Sequence, residues 1–264
     1  MERRAGSTGR AADAALVEMT ERLNFANAIR ARVDARPGYD PRTLGIGQVH
    51  IGLGAFHRAH QALYAELALA ARPGPWGIAA VSMRSAAARD QLAPQDGLYA
   101  LAERSGAGET LRLIGCIRRC LVGGEAAIAA IADPAIRIVT LTVTEKGYCH
   151  DPASGRLNPS HSALSQGDAA SLPGVLTAGL AARRQAGLGP VTVLCCDNLP
   201  HNGRVARQVT LDYAARRDDG LAAWIEREIA FPSTMVDRIV PATTDADRAR
   251  VAARLGFEDR GAVV

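Results

Sequence analysis

From residue 46 onward the chain alternates between short β-branched runs and longer stretches in which apolar side chains recur every three or four positions. Residues 48–51 predict a strand that ends at Gly52. Residues 58–71 predict a helix with Leu63, Leu67 and Ala70 on one face. Further strands are predicted at 78–83, 98–103, 111–117, 136–143 and 191–196. Further helices are predicted at 85–92, 125–132, 169–186, 203–216 and 221–229. Before them, 1–14 are polar and expected to fray, while 16–33 carry helical spacing that Pro37 and Pro41 end. Residues 1–44 therefore read as an N-terminal helical arm, and 45–264 as the domain proper.

Strands alternating with helices imply βαβ units and a parallel sheet. The runs 136–143 and 191–196 are apolar at successive positions, so both faces of those strands should be covered. The expected fold class is α/β: a doubly wound, mostly parallel sheet behind the helical arm. No internal repeat or low-complexity linker interrupts it.

Composition narrows the function classes. The 264 residues are 48% hydrophobic and 22% charged, which excludes disordered, collagenous and coiled-coil chains. A domain of this size buries roughly three quarters of its unfolded surface and needs no disulfide or metal to fold. Basic residues number 31 and acidic ones 27, scattered along the chain, for a net charge of +4. That mild excess suits anionic small ligands. No basic stripe exists, and aromatic residues are 4%, so no nucleic-acid partner is expected. No apolar run approaches the ~18 residues of a membrane span, and the polar first ten residues carry no secretory pattern. The five cysteines, at 116, 120, 149, 195 and 196, form no Cys-x-x-Cys pair. A reducing cytoplasm and no metal centre are the expectation. Lys146 is the only lysine. This reads either as a bias toward arginine or as a position where only a group that gives up its proton will serve.

In an open parallel sheet, ligands bind beyond the carboxyl ends of the strands. The first strand ends in Gly52-Leu-Gly54-Ala-Phe-His57-Arg58. Gly52 would allow a tight turn, and Gly54 would let the backbone approach a pyrophosphate; a plain tight turn is the alternative. His57 and His60 share a spacing that could bind metal, but no third ligand is in view. The strand 136–143 leads into Thr144-Glu145-Lys146-Gly147-Tyr148, a carboxylate beside an amine, suited to proton transfer or to a solvated charge pair. After 191–196, Asn198 offers an amide donor for a carbonyl or alkoxide oxygen. Asp197, Asn198 and Asn202 could equally make the turn and cap the next helix. Near 231–239, Arg238 could hold a carboxylate bidentately or pair with Asp237.

Four strings in this order resemble the long-chain mannitol dehydrogenase and fructuronate reductase family. They are His50-Ile-Gly-Leu-Gly-Ala-Phe-His-Arg-Ala-His60, Leu141-Thr-Val-Thr-Glu-Lys-Gly-Tyr-Cys149, Cys196-Asp-Asn-Leu-Pro-His-Asn-Gly203 and Phe231-Pro-Ser-Thr-Met-Val-Asp-Arg-Ile-Val-Pro241. The resemblance implies a Rossmann-like domain that binds NAD or NADP and interconverts a secondary alcohol and a ketone on a polyol or sugar acid. It implies that Gly52, Gly54, Ala55, Phe56, His57 and Arg58 form the dinucleotide loop, with Arg84 and Thr144 beside it. It places Asn198 on the reacting oxygen, Glu145 near the nicotinamide, and Asp237 with Arg238 at the substrate. Lys146-Gly-Tyr148 and the run 231–241 look more like the fructuronate and mannonate members, Cys149 and the run 199–203 suit the mannitol and fructose members equally, and the balance leans narrowly to the sugar-acid side.

Two departures accompany the resemblance. No acid stands in Arg84-Ser-Ala-Ala-Ala88, where one usually accepts the ribose hydroxyls of NAD. Family members also continue for about as long again into a helical domain that carries the catalytic Lys and the Asn and His beside it. This chain is therefore expected to lack that domain, as a truncated product or beside a separate chain that supplies it. Lys146 is then the only amine available as a stand-in. The competing expectation is a catalytically inactive nucleotide-binding fragment.

Overall fold

The computed structural model describes residues 21–106 and 108–264. The expected frayed terminus and residues 16–20 of the expected arm helix lie outside the described residues. One parallel sheet contains β1 Ile46–Ile51, β2 Gly77–Ser82, β5 Ile117–Val122, β6 Ile138–Leu141 and β7 Thr192–Cys195. Their order is β5-β2-β1-β6-β7. β1 sits at the centre, with Val49 opposite Ala79 of β2 on one side and Val139 of β6 on the other. Between β2 and β5 lies an antiparallel hairpin of β3 Tyr99–Ser105 and β4 Gly108–Ile114.

Helices cover both faces, as the doubly apolar strands require. α1 Ala55–Ala59 and α2 Gln61–Ala71 join β1 to β2, and α3 Ala87–Leu92 follows β2. α4 Gly124–Ile131 joins β5 to β6, and α5 Leu172–Gln185 joins β6 to β7. α6 Asn202–Ala215, α7 Asp219–Glu228 and α8 Asp245–Leu255 follow. Val49, Ile51, Val139, Leu141 and Val193 bury against Ile131, Leu176, Leu180 and Val209. On the other face Ile78, Ala80 and Ile117 bury against Leu63, Leu69 and Leu92. Each fully buried Leu or Ile contributes about 1.5–3 kcal/mol, so these two layers fix the helices against the sheet. Among the described residues no helix is long and apolar enough to cross a membrane.

Four elements differ from the sequence expectation. The arm helix does not continue through 21–33; that stretch holds only the short 3-10 turn Ala28–Arg30. The Asn24 and Asn27 side chains accept backbone N–H groups of their own neighbours, which breaks the helical ladder. The arm is instead pinned by tertiary contacts: the Leu23 amide donates to the Glu258 carbonyl at 3.0 Å. Leu23 and Ala31 bury with Leu98, Leu111, Leu113, Val251 and Leu255. The single strand expected at 111–117 is two strands, β4 and β5. The amides of Gly115 and Cys116 between them donate to the buried Glu66 carboxylate at 2.9 and 3.1 Å. β5 lies at the sheet edge with its middle residues partly exposed, so it lacks the doubly apolar signature. The helix expected at 58–71 begins at Ala55 and breaks at His60, whose backbone leaves the helical region. α8 was unexpected, although Thr244 and Asp247 close a capping box at its start.

Candidate functional site

The chain leaves β1 toward β2 on one side and reaches β6 on the other only after the whole β2–β5 excursion. The carboxyl ends of β1, β2 and β6 therefore flank the point where strand order reverses, the place where open α/β sheets leave a crevice. A cleft of about 430 Å³ lies there, lined by Gly52, Gly54, Met83, Arg84, Thr144 and Lys146 among others. The excursion between β6 and α5 closes one wall with His161 and Ser171. No local pattern links position 161 to position 52, so that wall was not legible in the sequence.

The two loop glycines are glycine for different reasons. Gly52 has φ of +119°, and a Cβ there would overlap the Thr142 carbonyl oxygen. The fold itself demands that glycine. Gly54 has an ordinary φ of −114°, and a Cβ there would meet nothing nearer than the Gly52 carbonyl at 3.8 Å. Nothing in the packing requires its missing side chain, which leaves open space where a ligand backbone could approach.

Past Gly54 the expected loop residues turn inward. His57 is fully buried, and its ring stacks on His50 at 3.4 Å between centroids and 11° between planes. Both of its ring nitrogens lack a partner. His50 is held by hydroxyls instead, Thr140 Oγ1 at 2.7 Å and Thr142 Oγ1 at 2.8 Å. Burial pushes the His50 imidazole down to about 3 and His57 well below its ordinary value, so both stay neutral. Arg58 donates to the Gly261 and Gly54 carbonyls, and its guanidinium lies 5.9 Å from the centre of the Tyr99 ring. The tyrosine hydroxyl donates back to the Arg58 carbonyl at 2.6 Å. The side chains of His57 and Arg58 therefore brace the loop from beneath rather than line the cleft. The physical reason is the early start of α1, which rotates positions 57–59 into the core. Ala55 and Phe56 are half-buried and outside the cleft lining, the Phe56 ring stacked on His60 at 5.0 Å. Among the described residues no group of three His, Cys, Asp or Glu side chains could hold a metal ion.

At the end of β2, Arg84 is exposed and faces the cleft, while Arg89 is paired with Asp90 at 2.7 Å. No carboxylate accompanies Arg84 between positions 82 and 88.

The ends of β6 and β7 are tied together. Asp197 accepts hydrogen bonds from the amides of Val143 and Thr144 at 3.0 and 3.2 Å and from the Tyr148 hydroxyl at 2.6 Å. Read locally, Asp197 was one of several turn-formers; its contacts lie about fifty residues away. Glu145 and Lys146 sit on the exposed turn beyond, and Lys146 borders the cleft. Asn198 is exposed next to Asp197, at the same end of the sheet but outside the cleft lining. Asn202 is buried, and its amide donates to the Asp197 and Thr234 carbonyls at 2.9 and 3.0 Å. Thr234 Oγ1 donates to the Cys195 carbonyl at 2.7 Å. These bonds lead an irregular strap, residues 231–244, past the end of β7. On that strap Asp237 is exposed and does not pair with its neighbour. Arg238 donates to the Ala59 carbonyl and lies 3.5 Å from Glu103, beside a second cavity of about 390 Å³. The structure thus gathers Gly52, Gly54, Arg84, Thr144 and Lys146 in one cleft and leaves Asp237 and Arg238 on a neighbouring surface.

Comparison with known proteins gives a consistent pattern. A family model described as the mannitol dehydrogenase Rossmann domain matches residues 46–260. D-mannonate oxidoreductase of Escherichia coli is 42% identical over 241 residues, covering 87% of this chain and 50% of that protein. Mannitol 2-dehydrogenase of Cereibacter sphaeroides is 44% identical over 224 residues, covering 81% and 47%. The solved ternary complex of Pseudomonas fluorescens mannitol 2-dehydrogenase with NAD and D-mannitol superposes with a TM-score of 0.84 at 37% identity, covering 90% of this chain and 51% of that one. The chain spans about half the length of the curated relatives it matches.

Proposed function

The chain belongs to the mannitol dehydrogenase family, and from that membership we propose that it is the cofactor-binding half of an oxidoreductase acting on a secondary alcohol or ketone of a polyol or sugar acid. The observation that carries the reading is Gly54: a glycine that the fold does not need, facing a cleft at the strand-order reversal. A nicotinamide dinucleotide fits there, with its pyrophosphate against the Gly52–Gly54 backbone and Thr144 bordering the opposite wall. Arg84 would lie by the adenosine ribose, where the absence of a carboxylate admits NADP as well as NAD. When bound, the nicotinamide supplies or takes up the hydride.

The protein groups do the rest. Asn198 would donate its amide to the substrate oxygen and stabilise charge developing there. Glu145 and Lys146, on the exposed turn, would handle protons at the mouth of the cleft. Asp237 and Arg238, on the strap, would contact the polyol or sugar acid. His57 and Arg58 would serve by keeping the loop in shape. Relatives named for mannonate and for mannitol are about equally similar, so both substrate types stay within the proposal. A cytoplasmic setting belongs to it too, in keeping with five free cysteines.

Calorimetric titration with NADH and NADPH tests the binding half. NADH oxidation with fructuronate or fructose tests the chemistry. A second reading, a nucleotide-binding module without turnover, is favoured by the placement of Asn198, Asp237 and Arg238 outside the cleft lining. Binding without turnover supports that reading, and absence of binding refutes both.

A further inference from the structure

The turn that carries Glu145 and Lys146 starts from a strained residue. Thr144 has φ +67° and ψ 160°, a region populated almost only by glycine. A β-branched side chain makes the position costlier still. Such a conformation persists only where its surroundings over-determine it. Here the Gly147 amide donates to the Thr144 carbonyl at 3.0 Å, and one carboxylate does the rest. Asp197 Oδ1 accepts the Thr144 amide, and Asp197 Oδ2 accepts the Val143 amide and the Tyr148 hydroxyl. The two amides and the phenol lie on either side of the Glu145–Lys146 pair, so the carboxylate grips the turn at both ends. Tyr148 is itself buried and lies 2.6 Å from the Cys195 sulfur, which keeps the phenol from swinging away. Beyond Tyr148, Cys149 also has a left-handed φ of 52°, so the turn leaves as well as enters by an unusual backbone angle.

The structure assigns Asp197 as a positioning residue: its carboxylate holds Thr144 in a glycine-only conformation and thereby fixes the turn that carries Glu145 and sets Lys146 at the cleft. Its value to function rests on the dinucleotide reading above; the clamp itself does not. Asparagine at 197 must turn its amide N–H₂ toward either the Thr144 N–H or the Val143 N–H, so one of these two backbone amides loses its acceptor and the grip loosens. Glycine at 144 adopts the same backbone angles unaided and makes the grip dispensable.

Lys146 is the single lysine, so a lysine-specific endopeptidase cuts the native chain only within this turn. Asp197→Asn should be cut at least ten times faster than the wild type, and Asp197→Asn with Thr144→Gly should return to within about threefold of it. Wild-type cleavage of Asp197→Asn overturns the proposal, as does a double variant cut as fast as the single one. If circular dichroism shows Asp197→Asn unfolded, Tyr148→Phe takes its place, with the same acceleration and the same rescue by Thr144→Gly expected and their absence overturning the proposal. Calorimetry on the same proteins reads the functional consequence: NADH affinity should fall at least tenfold in Asp197→Asn and recover in the double variant. Unchanged affinity in Asp197→Asn overturns the functional part of the assignment. No NADH binding by the wild type overturns the dinucleotide reading, while the cleavage rates still decide the clamp.

Discussion

Substituting the two loop glycines separately distinguishes a fold requirement from a ligand requirement. Gly52→Ala places a Cβ onto the Thr142 carbonyl oxygen at a φ of +119°. Backbone strain of this kind costs about 1–3 kcal/mol, and forcing a group into filled space costs about 1–3 kcal/mol more. The expected loss of stability is about 2–6 kcal/mol. Gly54→Ala meets nothing nearer than 3.8 Å at an ordinary φ. Its stability should stay within about 0.5 kcal/mol of the wild type. Gly54→Val keeps the fold for the same reason but fills the space assigned to the pyrophosphate. It should weaken NADH binding by at least ~2 kcal/mol, roughly thirtyfold. Urea unfolding measures the stabilities and isothermal calorimetry the affinities. The reasoning is refuted if Gly52→Ala is as stable as the wild type, or if Gly54→Val binds NADH with wild-type affinity.

Other outcomes follow from neighbouring features. NADPH should bind within about tenfold of NADH, and Arg84→Ala should weaken NADPH alone; a preference for NADH beyond ~1.4 kcal/mol would mean that another acid meets the ribose. Stability should fall on acidification, because His50 and His57 stay neutral in the fold while their unfolded imidazoles take up protons near pH 6.5. The stabilisation is complete above that pH and is lost as pH falls toward 3. Asp259, raised to about 6 by burial, and Glu66, also raised by burial, act the opposite way, but His60, lowered by burial, joins the other two imidazoles. The urea midpoint should therefore drop from pH 7 to pH 5, with a flatter profile in His57→Phe; a midpoint that rises on acidification contradicts this. Residues 1–264 by themselves should turn over fructuronate, mannonate, fructose or mannitol little or not at all, since Asn198, Asp237 and Arg238 lie outside the lining of the cleft and a substrate not held against the hydride donor reacts orders of magnitude more slowly. Substantial NADH oxidation with fructuronate, abolished in Lys146→Met, would defeat that expectation and make Lys146 the acid.

The glycine-rich turn between a first strand and a helix was legible as a candidate site, because Gly52, Gly54 and the apolar run before them are consecutive. Which of those glycines serves the fold was not legible, since the atom that excludes a Cβ at Gly52 belongs to Thr142, ninety residues on. His57 and Arg58 show the same limit. Their sequence neighbours suggested a ligand loop, yet the direction of a helical side chain depends on where the helix begins, and α1 begins three residues early. Asp197 looked like any turn-former until the end of β6 was seen to lie against it.

Local periodicity by itself determined most of the alternating elements and the doubly wound class, because burial on one stripe or on two faces leaves its mark within a few residues. It missed β5, whose edge position leaves it half exposed, and it carried the arm helix through 21–33, where Asn side chains and Glu258 compete for the backbone. Only the tertiary structure decided which strand ends meet, which residues line the cleft, and that Thr144 is held in strain. Those facts are contacts between distant segments, and a contact across fifty residues is set by how the whole sheet closes, not by the residues on either side of it.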